Sequence, residues 1–255
     1  MYALITGASS GIGREIASLL AKRGYNLIVS ARREERLLEL KEALENGYGI
    51  KVVPVVSDLS ESVGAQLLFN FCTDYDVEVL VNNAGFGKVG FFDDIELKSE
   101  TDMIDVNIKS LHILTKLFSG SMKKGYILNV ASSAAFSPSP KMAAYAAAKA
   151  YVLSLSRAVN YENKKLKKPV SVSALCPGPV STEFNDVAGA DFKIKAITPQ
   201  KCAQAAVKGM FKRKAVIVPG FKMKLAKLGT KLLPSCITLP VMYKIQAGKS
   251  KEKKK

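Results

Sequence analysis

The sequence predicts an α/β fold: a Rossmann-like, doubly wound parallel sheet of about seven strands with helices on both faces. Three observations predict it. Short β-branched runs alternate with longer segments of helical periodicity along most of the chain. The first run passes through a glycine-rich turn directly into a helical pattern. A length of 255 residues suits one open α/β unit rather than two domains.

Strands are expected at 2–6, 26–30, 51–56, 79–82, 126–130, 170–175 and 215–218. The first helix, 12–22, places Ile12, Ile16, Leu19 and Leu20 on one face and turns Arg14, Glu15, Lys22 and Arg23 elsewhere, before Gly24 stops it. Further helices are expected at 33–44, 62–72, 101–119, 143–161 and 199–211. No repeat interrupts this order. Residues 1–220 therefore read as one unit, and 221–255 as a basic C-terminal extension, an amphipathic helix followed by a solvated lysine tail.

Composition sets the outer bounds. Hydrophobic residues at 48% and charged residues at 24% supply a core and exclude a disordered chain. Cys72, Cys176, Cys202 and Cys236 are scattered without C-x-x-C spacing or neighbouring histidines, so reduced thiols and no metal site are expected. The first apolar run begins at Tyr2 and leaves no secretory segment, from which a cytoplasmic location is expected. The longest uncharged stretch of the C-terminal part, 232–243, contains Pro234 and Pro240 and is too short to span a bilayer. The formal charge of +16 is uneven: 17 of the 38 Lys and Arg, against Glu252 alone among the acids, lie from Lys193 onward. Attraction to an anionic partner is concentrated at that end.

The first strand runs into Thr6-Gly7-Ala8-Ser9-Ser10-Gly11-Ile12-Gly13 and then a helix. A helix N-terminus offers unpaired N–H groups and partial positive charge, and glycines admit a pyrophosphate without Cβ obstruction. Arg32 and Arg33 follow Ala31 at the end of the second strand; on the alternative reading they cap a solvated helix start beside Glu34 and Glu35. Tyr145-Ala146-Ala147-Ala148-Lys149 lies in a helical segment, so phenol and ammonium share one face. Proton exchange by a tyrosine near neutrality needs the phenolate favoured by about 3 units, or about 4 kcal/mol, and a nearby ammonium acts in that sense. Ser132 precedes Tyr145 by thirteen residues, and Asn107 lies in the preceding helix.

The G-x-x-x-G-x-G spacing of Gly7, Gly11 and Gly13 resembles that of the short-chain dehydrogenase/reductase family. Other motifs agree in order: Asp58-Leu59 after the third strand, Asn82-Asn83-Ala84-Gly85 closing the fourth, and Pro177-Gly178 after the sixth, with Thr182 beyond. The resemblance covers residues 1 to about 220. It implies a hydride-transferring oxidoreductase for a carbonyl or alcohol. Tyr145 is then the general acid or base, Lys149 lowers its pKa and binds the nicotinamide ribose, and Ser132 holds the substrate oxygen. Asn107 kinks its helix and holds a water linking Lys149 to solvent. By the same resemblance Gly7, Ser9, Ser10, Gly11 and Gly13 form the cofactor loop and Ile12 meets the nicotinamide half. Asp58 and Leu59 meet adenine, Asn83, Ala84 and Gly85 line the adenosine side, and Val180 and Thr182 contact the carboxamide.

In that family an acidic residue at the position of Ala31 binds the ribose hydroxyls of NAD. Alanine removes that acceptor, and the Arg32 and Arg33 guanidiniums suit a 2′-phosphate, so NADP(H) is the expected cofactor, resting mainly on Arg32.

Specificity is expected in 181–198, where Phe184, Val187, Ala188 and Phe192 are lid candidates, with Phe86, Phe91 and Phe136 as walls; an apolar or acyl substrate follows. Phe221, Leu225, Leu228 and Leu232 form a stripe bordered by Lys222, Lys224, Lys227 and Lys231. Three uses stay open for it: covering the pocket or a neighbouring subunit, lying on an anionic membrane, or attracting an acidic carrier protein. A homodimer or homotetramer through the helices of Asn107 and Tyr145 is expected. Nucleic acid is not a partner, because the balanced main body lacks a basic groove. His112 reads as structural. The competing reading is a catalytically idle dinucleotide-binding sensor or scaffold.

Overall fold

The computed structural model describes residues 1–189 and 196–247. Phe192 and the lysine tail lie outside the described residues, as do the side chains of Lys222, Lys227, Lys231 and Leu232.

Seven strands form one parallel sheet: β1 (Tyr2–Thr6), β2 (Asn26–Ala31), β3 (Val52–Val56), β4 (Val77–Asn82), β5 (Gly125–Val130), β6 (Val170–Leu175) and β7 (Val216–Ile217). Their order is β3-β2-β1-β4-β5-β6-β7. Parallel neighbours need crossovers, and these are supplied by α1 (Gly11–Ala21), α2 (Glu34–Tyr48), α3 (Gly64–Cys72), α4 (Leu97–Ile104), α5 (Leu111–Ser121), α6 (Ala143–Lys165) and α8 (Pro199–Phe211), with the short α7 (Phe184–Ala188) before α8. Two further helices, α9 (Phe221–Leu232) and α10 (Ser235–Ala247), follow the sheet.

Alternation along β1 shows how the two faces are served. Ala3 and Ile5 join Ile16, Leu20, Leu37, Leu40, Val207 and Met210 in the core under α1, α2 and α8. Leu4 points the other way, into the cluster of Leu68, Leu114 and Phe118 under α3 and α5. These side chains are at most 3% exposed, so both faces of the sheet are dry.

A polar network runs through the second layer. The buried Asn82 amide donates to Thr115 Oγ1 at 3.1 Å and Asn129 Oδ1 at 2.9 Å, and Asn129 donates to Ser156 Oγ at 3.0 Å. It ties β4 and β5 to α5 and α6, in the low dielectric where a hydrogen bond is strongest.

The strand order reverses between β1 and β4, and open α/β sheets bind ligands outside the carboxyl ends of their strands at such a point.

Three departures from the sequence reading have physical causes. The helix expected at 101–119 is α4 and α5 joined through a π-helical turn, Asp105–Ser110, centred on the buried Asn107. The stretch 232–243 enters α10, which starts after Pro234 and accommodates Pro240 inside it. The seventh strand is confined to two residues, because only Ala174 and Leu175 of β6 pair with it. Among the described residues no helix is long and apolar enough to cross a membrane, and no group of side chains is suited to hold a metal ion.

Candidate active site

The turn after β1 is built around one close approach. A Cβ on Gly13 would lie 2.4 Å from the Gly7 carbonyl oxygen, so only glycine lets α1 begin this near the turn. Ser10 gives the helix start no side-chain cap bond, and Gly11 and Ile12 of its first turn line the cleft. Asn83 locks the loop from β4: its amide donates to the carbonyls of Thr6 and Gly7, both at 3.0 Å. Thr6 Oγ1 accepts from the Asn83 and Ala84 N–H groups at 3.0 Å each.

These elements open onto a cleft of about 570 Å³. It is lined by Gly7, Ser9, Ser10, Gly11 and Ile12 of the loop, by Arg32, Arg33, Asp58 and Leu59, and by Asn83, Ala84 and Gly85. Ser132, Tyr145, Lys149, Pro177, Gly178, Val180 and Thr182 complete the set predicted to face it. Asn107 and Gly13 stand behind, one under the β4 loop and one under the glycine turn.

At the β5 end, Ser132 begins a short turn, with its hydroxyl accepting from the Ala134 N–H at 3.1 Å. The Ser133 N–H donates to the Pro177 carbonyl at 2.8 Å, which joins this corner to the end of β6. The Ser132 hydroxyl faces the Tyr145 phenol closely enough to lower its pKa. Burial pushes that phenol up to about 12, against the lowering effect of Ser132. Lys149, one helical turn on, is 4% exposed; its Nζ donates to the Val130 carbonyl at 2.9 Å and lies 5.7 Å from the Tyr145 ring centre. Burial pulls its ammonium down to about 8.

Asn107 connects this cluster to β4. Its Oδ1 accepts from the Phe86 N–H at 3.2 Å and its Nδ2 donates to the Phe86 carbonyl at 2.8 Å. Gly85 is the spacer, since a Cβ there would lie 2.5 Å from Asn107 Oδ1 and 3.3 Å from Lys149 Nζ. Ser132, Tyr145 and Lys149 therefore meet at one end of the cleft, with Asn107 directly behind them.

The other end is cationic. Burial raises Asp58, but hydrogen bonds from the Ser60 N–H and hydroxyl and the charge of Arg32 outweigh it and hold the carboxyl below its ordinary value. Arg32 sits 4.0 Å from Asp58, with its side chain 73% exposed. Arg33 is the more engaged of the two: its Nη2 donates to Ser9 Oγ and Ser10 Oγ, both at 3.1 Å. The carboxylate that pairs with it is Glu183, from the segment beyond β6, at 2.9 Å; the sequence reading had offered Glu34 and Glu35.

The walls differ in part from expectation. Phe86, Phe136, Phe184 and Val187 line the cleft, with the Phe184 ring tilted against the Tyr145 ring at 5.5 Å between centres. Phe91 does not; it is 47% exposed and carries the Lys141 ammonium over its ring. Met142, Met223, Thr230, Met242, Ile245 and Gln246 line it too and were not anticipated. Five of these arrive from α9 and α10, and nothing in their local pattern reveals that the helices fold back over the strand ends. His112 is bonded to Tyr151 through Nδ1 at 2.7 Å, outside the cleft.

Known proteins resemble this chain over most of its length. The family model described as short chain dehydrogenase matches residues 1–192. Inactive hydroxysteroid dehydrogenase-like protein 1 of Homo sapiens is 33% identical over 72% of this chain, which spans only 57% of that relative's length. Very-long-chain 3-oxoacyl-CoA reductase of Anas platyrhynchos is 31% identical over 81% of this chain and 67% of its own. Among solved structures, a short-chain dehydrogenase from Sphingobium yanoikuyae in complex with NADPH superposes with a TM-score of 0.81 at 29% identity, over 91% of this chain and 96% of that one. A short-chain dehydrogenase/reductase from Burkholderia phymatum in complex with NAD gives 0.80 at 25% identity, over 90% of each. A match running from the first strand past the sixth, on a chain folded into the same seven-stranded sheet, means that this protein belongs to the short-chain dehydrogenase family of oxidoreductases.

Proposed function

We propose that the chain is an NADP(H)-dependent oxidoreductase that moves a hydride between the nicotinamide and a carbonyl or alcohol. Tyr145 is the general acid in reduction and the base in oxidation. The observation that carries this reading is the cluster of Ser132 with the buried Tyr145 and Lys149 at one end of a cleft whose other end holds Arg32 and Arg33.

The residues fit the dinucleotide. The uncapped start of α1, the glycine turn and Asn83 offer a backbone surface for a pyrophosphate. Ala31 puts no acid at the end of β2, and Arg32 with Arg33 supplies the counter-charge for a 2′-phosphate. When bound, the dihydronicotinamide supplies the hydride to the carbonyl carbon. Tyr145 Oη gives its proton to the carbonyl oxygen, which Ser132 Oγ holds and polarises. Burial raises the phenol to about 12 where Lys149 was expected to lower it, so it keeps its proton at neutral pH, which suits the acid role and not the base role; the Lys149 ammonium then steadies the phenolate left behind. Asn107 holds the β4 loop against this cluster, and a water on it is the route by which the phenol regains a proton.

The substrate is an apolar or acyl carbonyl compound. Phe86, Phe136, Met142, Phe184, Met223 and Ile245 give the cleft its apolar wall. We assign 1–220 as the catalytic unit and 221–255 as the extension, of which α9 and α10 contribute residues that wall the pocket. Phe221, Leu225 and Leu228 stay exposed on the outer side of α9, a surface suited to an anionic membrane. We further propose a homo-oligomer through α4 to α6 in the cytoplasm, without nucleic acid.

Two relatives bear the name inactive, which favours a second reading, a catalytically idle NADP(H)-binding scaffold. A panel of ketones and aldehydes, 3-oxoacyl thioesters included, followed by NADPH absorbance separates the two. Turnover lost by about 100-fold or more in Tyr145→Phe supports the enzyme. Tight NADPH binding with no turnover, and no effect of Tyr145→Phe, supports the scaffold.

A further inference from the structure

Glu183 reaches across the cleft from the segment after β6 and is held by two arginines of the opposite wall. Its carboxylate accepts from Arg33 Nη1 at 2.9 Å and, through the other oxygen, from Arg36 Nη1. The hydrogen bonds from Arg36 and Arg33 pull the carboxyl down to about 2, so it is an anion at every physiological pH. Arg33 simultaneously holds Ser9 and Ser10 of the glycine turn. The guanidinium assigned to a 2′-phosphate thus already carries an anion of this chain.

Glu183 is also joined to the chemistry. The next residue, Phe184, opens α7 and packs on the Tyr145 ring. The preceding Thr182 crowds Gly11, where an added Cβ would lie 3.0 Å from its methyl. A movement of the Glu183 backbone must shift Phe184 over the phenol, because the two are covalent neighbours.

We propose that Glu183 is a resident stand-in for the cofactor's 2′-phosphate: NADP(H) displaces its carboxylate from Arg33, and the same exchange releases the segment that lays Phe184 on Tyr145. This rests on the NADP(H) reading above. The exchange needs no new cation. A dianionic phosphate outcompetes a carboxylate on a guanidinium that both can engage through paired N–H bonds. Half-exposed side chains on both partners keep the latch weak enough to open. Glu183 is accordingly a specificity residue: it opposes phosphorylated dinucleotides at the seat of the phosphate and leaves unphosphorylated ones unopposed there.

The test compares wild type with Glu183→Gln, a substitution at a half-exposed side chain that leaves the core untouched. Calorimetric affinities are measured for NADPH, NADH, 2′,5′-ADP and 5′-AMP. Glu183→Gln is expected to tighten NADPH and 2′,5′-ADP by about threefold, the worth of one exposed ion pair, and to leave NADH and 5′-AMP unchanged. Hydrogen exchange of peptides covering 182–188 supplies the second readout. In wild type it is expected to rise with 2′,5′-ADP, which lacks the nicotinamide half, and not with 5′-AMP; in Glu183→Gln it is already raised without ligand. Weaker NADPH binding in Glu183→Gln, equal changes for all four ligands, or exchange that ignores 2′,5′-ADP overturns the proposal. If wild type itself binds 2′,5′-ADP no better than 5′-AMP, the NADP(H) reading has failed and takes this proposal with it. A wild-type preference for 2′,5′-ADP that Glu183→Gln does not enlarge defeats the latch alone.

Discussion

Asn107 exchanges two hydrogen bonds with the backbone of Phe86, accepting from its N–H at 3.2 Å and donating to its carbonyl at 2.8 Å. The π-helical turn is thereby fastened to the loop after β4, and Gly85 lets the two meet above Lys149. Asn107→Leu removes both partners and leaves Phe86 with two unpaired backbone groups. It is expected to cost about 2–4 kcal/mol in urea unfolding. The turnover number should fall further than the fraction of folded protein accounts for. Stability and turnover both unchanged would show that the pair positions nothing.

Lys149 is buried, and its ammonium is held at about 8, below its ordinary 10.5. The folded chain therefore binds fewer protons than the unfolded chain between these values. Stability gained from this group rises with pH across that window and is lost as pH falls through about 8. The difference in unfolding free energy, wild type minus Lys149→Met, is expected to grow from pH 8 to pH 10. Tyr145 acts in the opposite sense: its raised value contributes stability below its ordinary 10.0 that fades as pH approaches about 12. A pH-independent difference would mean that the lysine is solvated.

Arg32 and Arg33 are both tested by cofactor affinity. Arg33 is anchored to Ser9 and Ser10, whereas Arg32 is 73% exposed beside Asp58. Replacing either by alanine removes a charged hydrogen-bonding partner of the 2′-phosphate, worth about tenfold or more in NADPH binding. NADH should change by less than about threefold. Equal losses for both nucleotides would contradict a phosphate-binding role.

The exposed row of α9 makes the membrane reading testable in the full chain. Phe221, Leu225 and Leu228, replaced together by glutamate, lose apolar area and reverse local charge. Co-sedimentation with anionic vesicles is expected to drop about tenfold or more, and with neutral vesicles to stay low. Pelleting identical to wild type would dismiss the membrane contact, leaving α9 and α10 as pocket cover alone.

Much of the framework could be read from residue order. The β1 turn, the Tyr145 and Lys149 spacing and the strand-end motifs are local signals, because turn chemistry and helical periodicity act over a few residues. Glu183 carried no such signal. Its meaning comes from Arg33, 150 positions away, and no local pattern distinguishes it from any surface acid. Phe91 misled for the converse reason: aromatic character predicts burial on average, and here the ring lies outside the cleft against Lys141. Asn107 was legible as a kink, but its partner at Phe86 was not.

By itself, then, the sequence determined most of the elements, their order, and which side chains are candidates for chemistry, because hydrophobic period, glycine and helical spacing act through near neighbours. Only the tertiary structure decided which charges meet across the cleft, which arginine faces the glycine turn, and that α9 and α10 return to wall the pocket. Those outcomes depend on contacts between distant segments, fixed only once the sheet has closed its order and brought its strand ends to one edge.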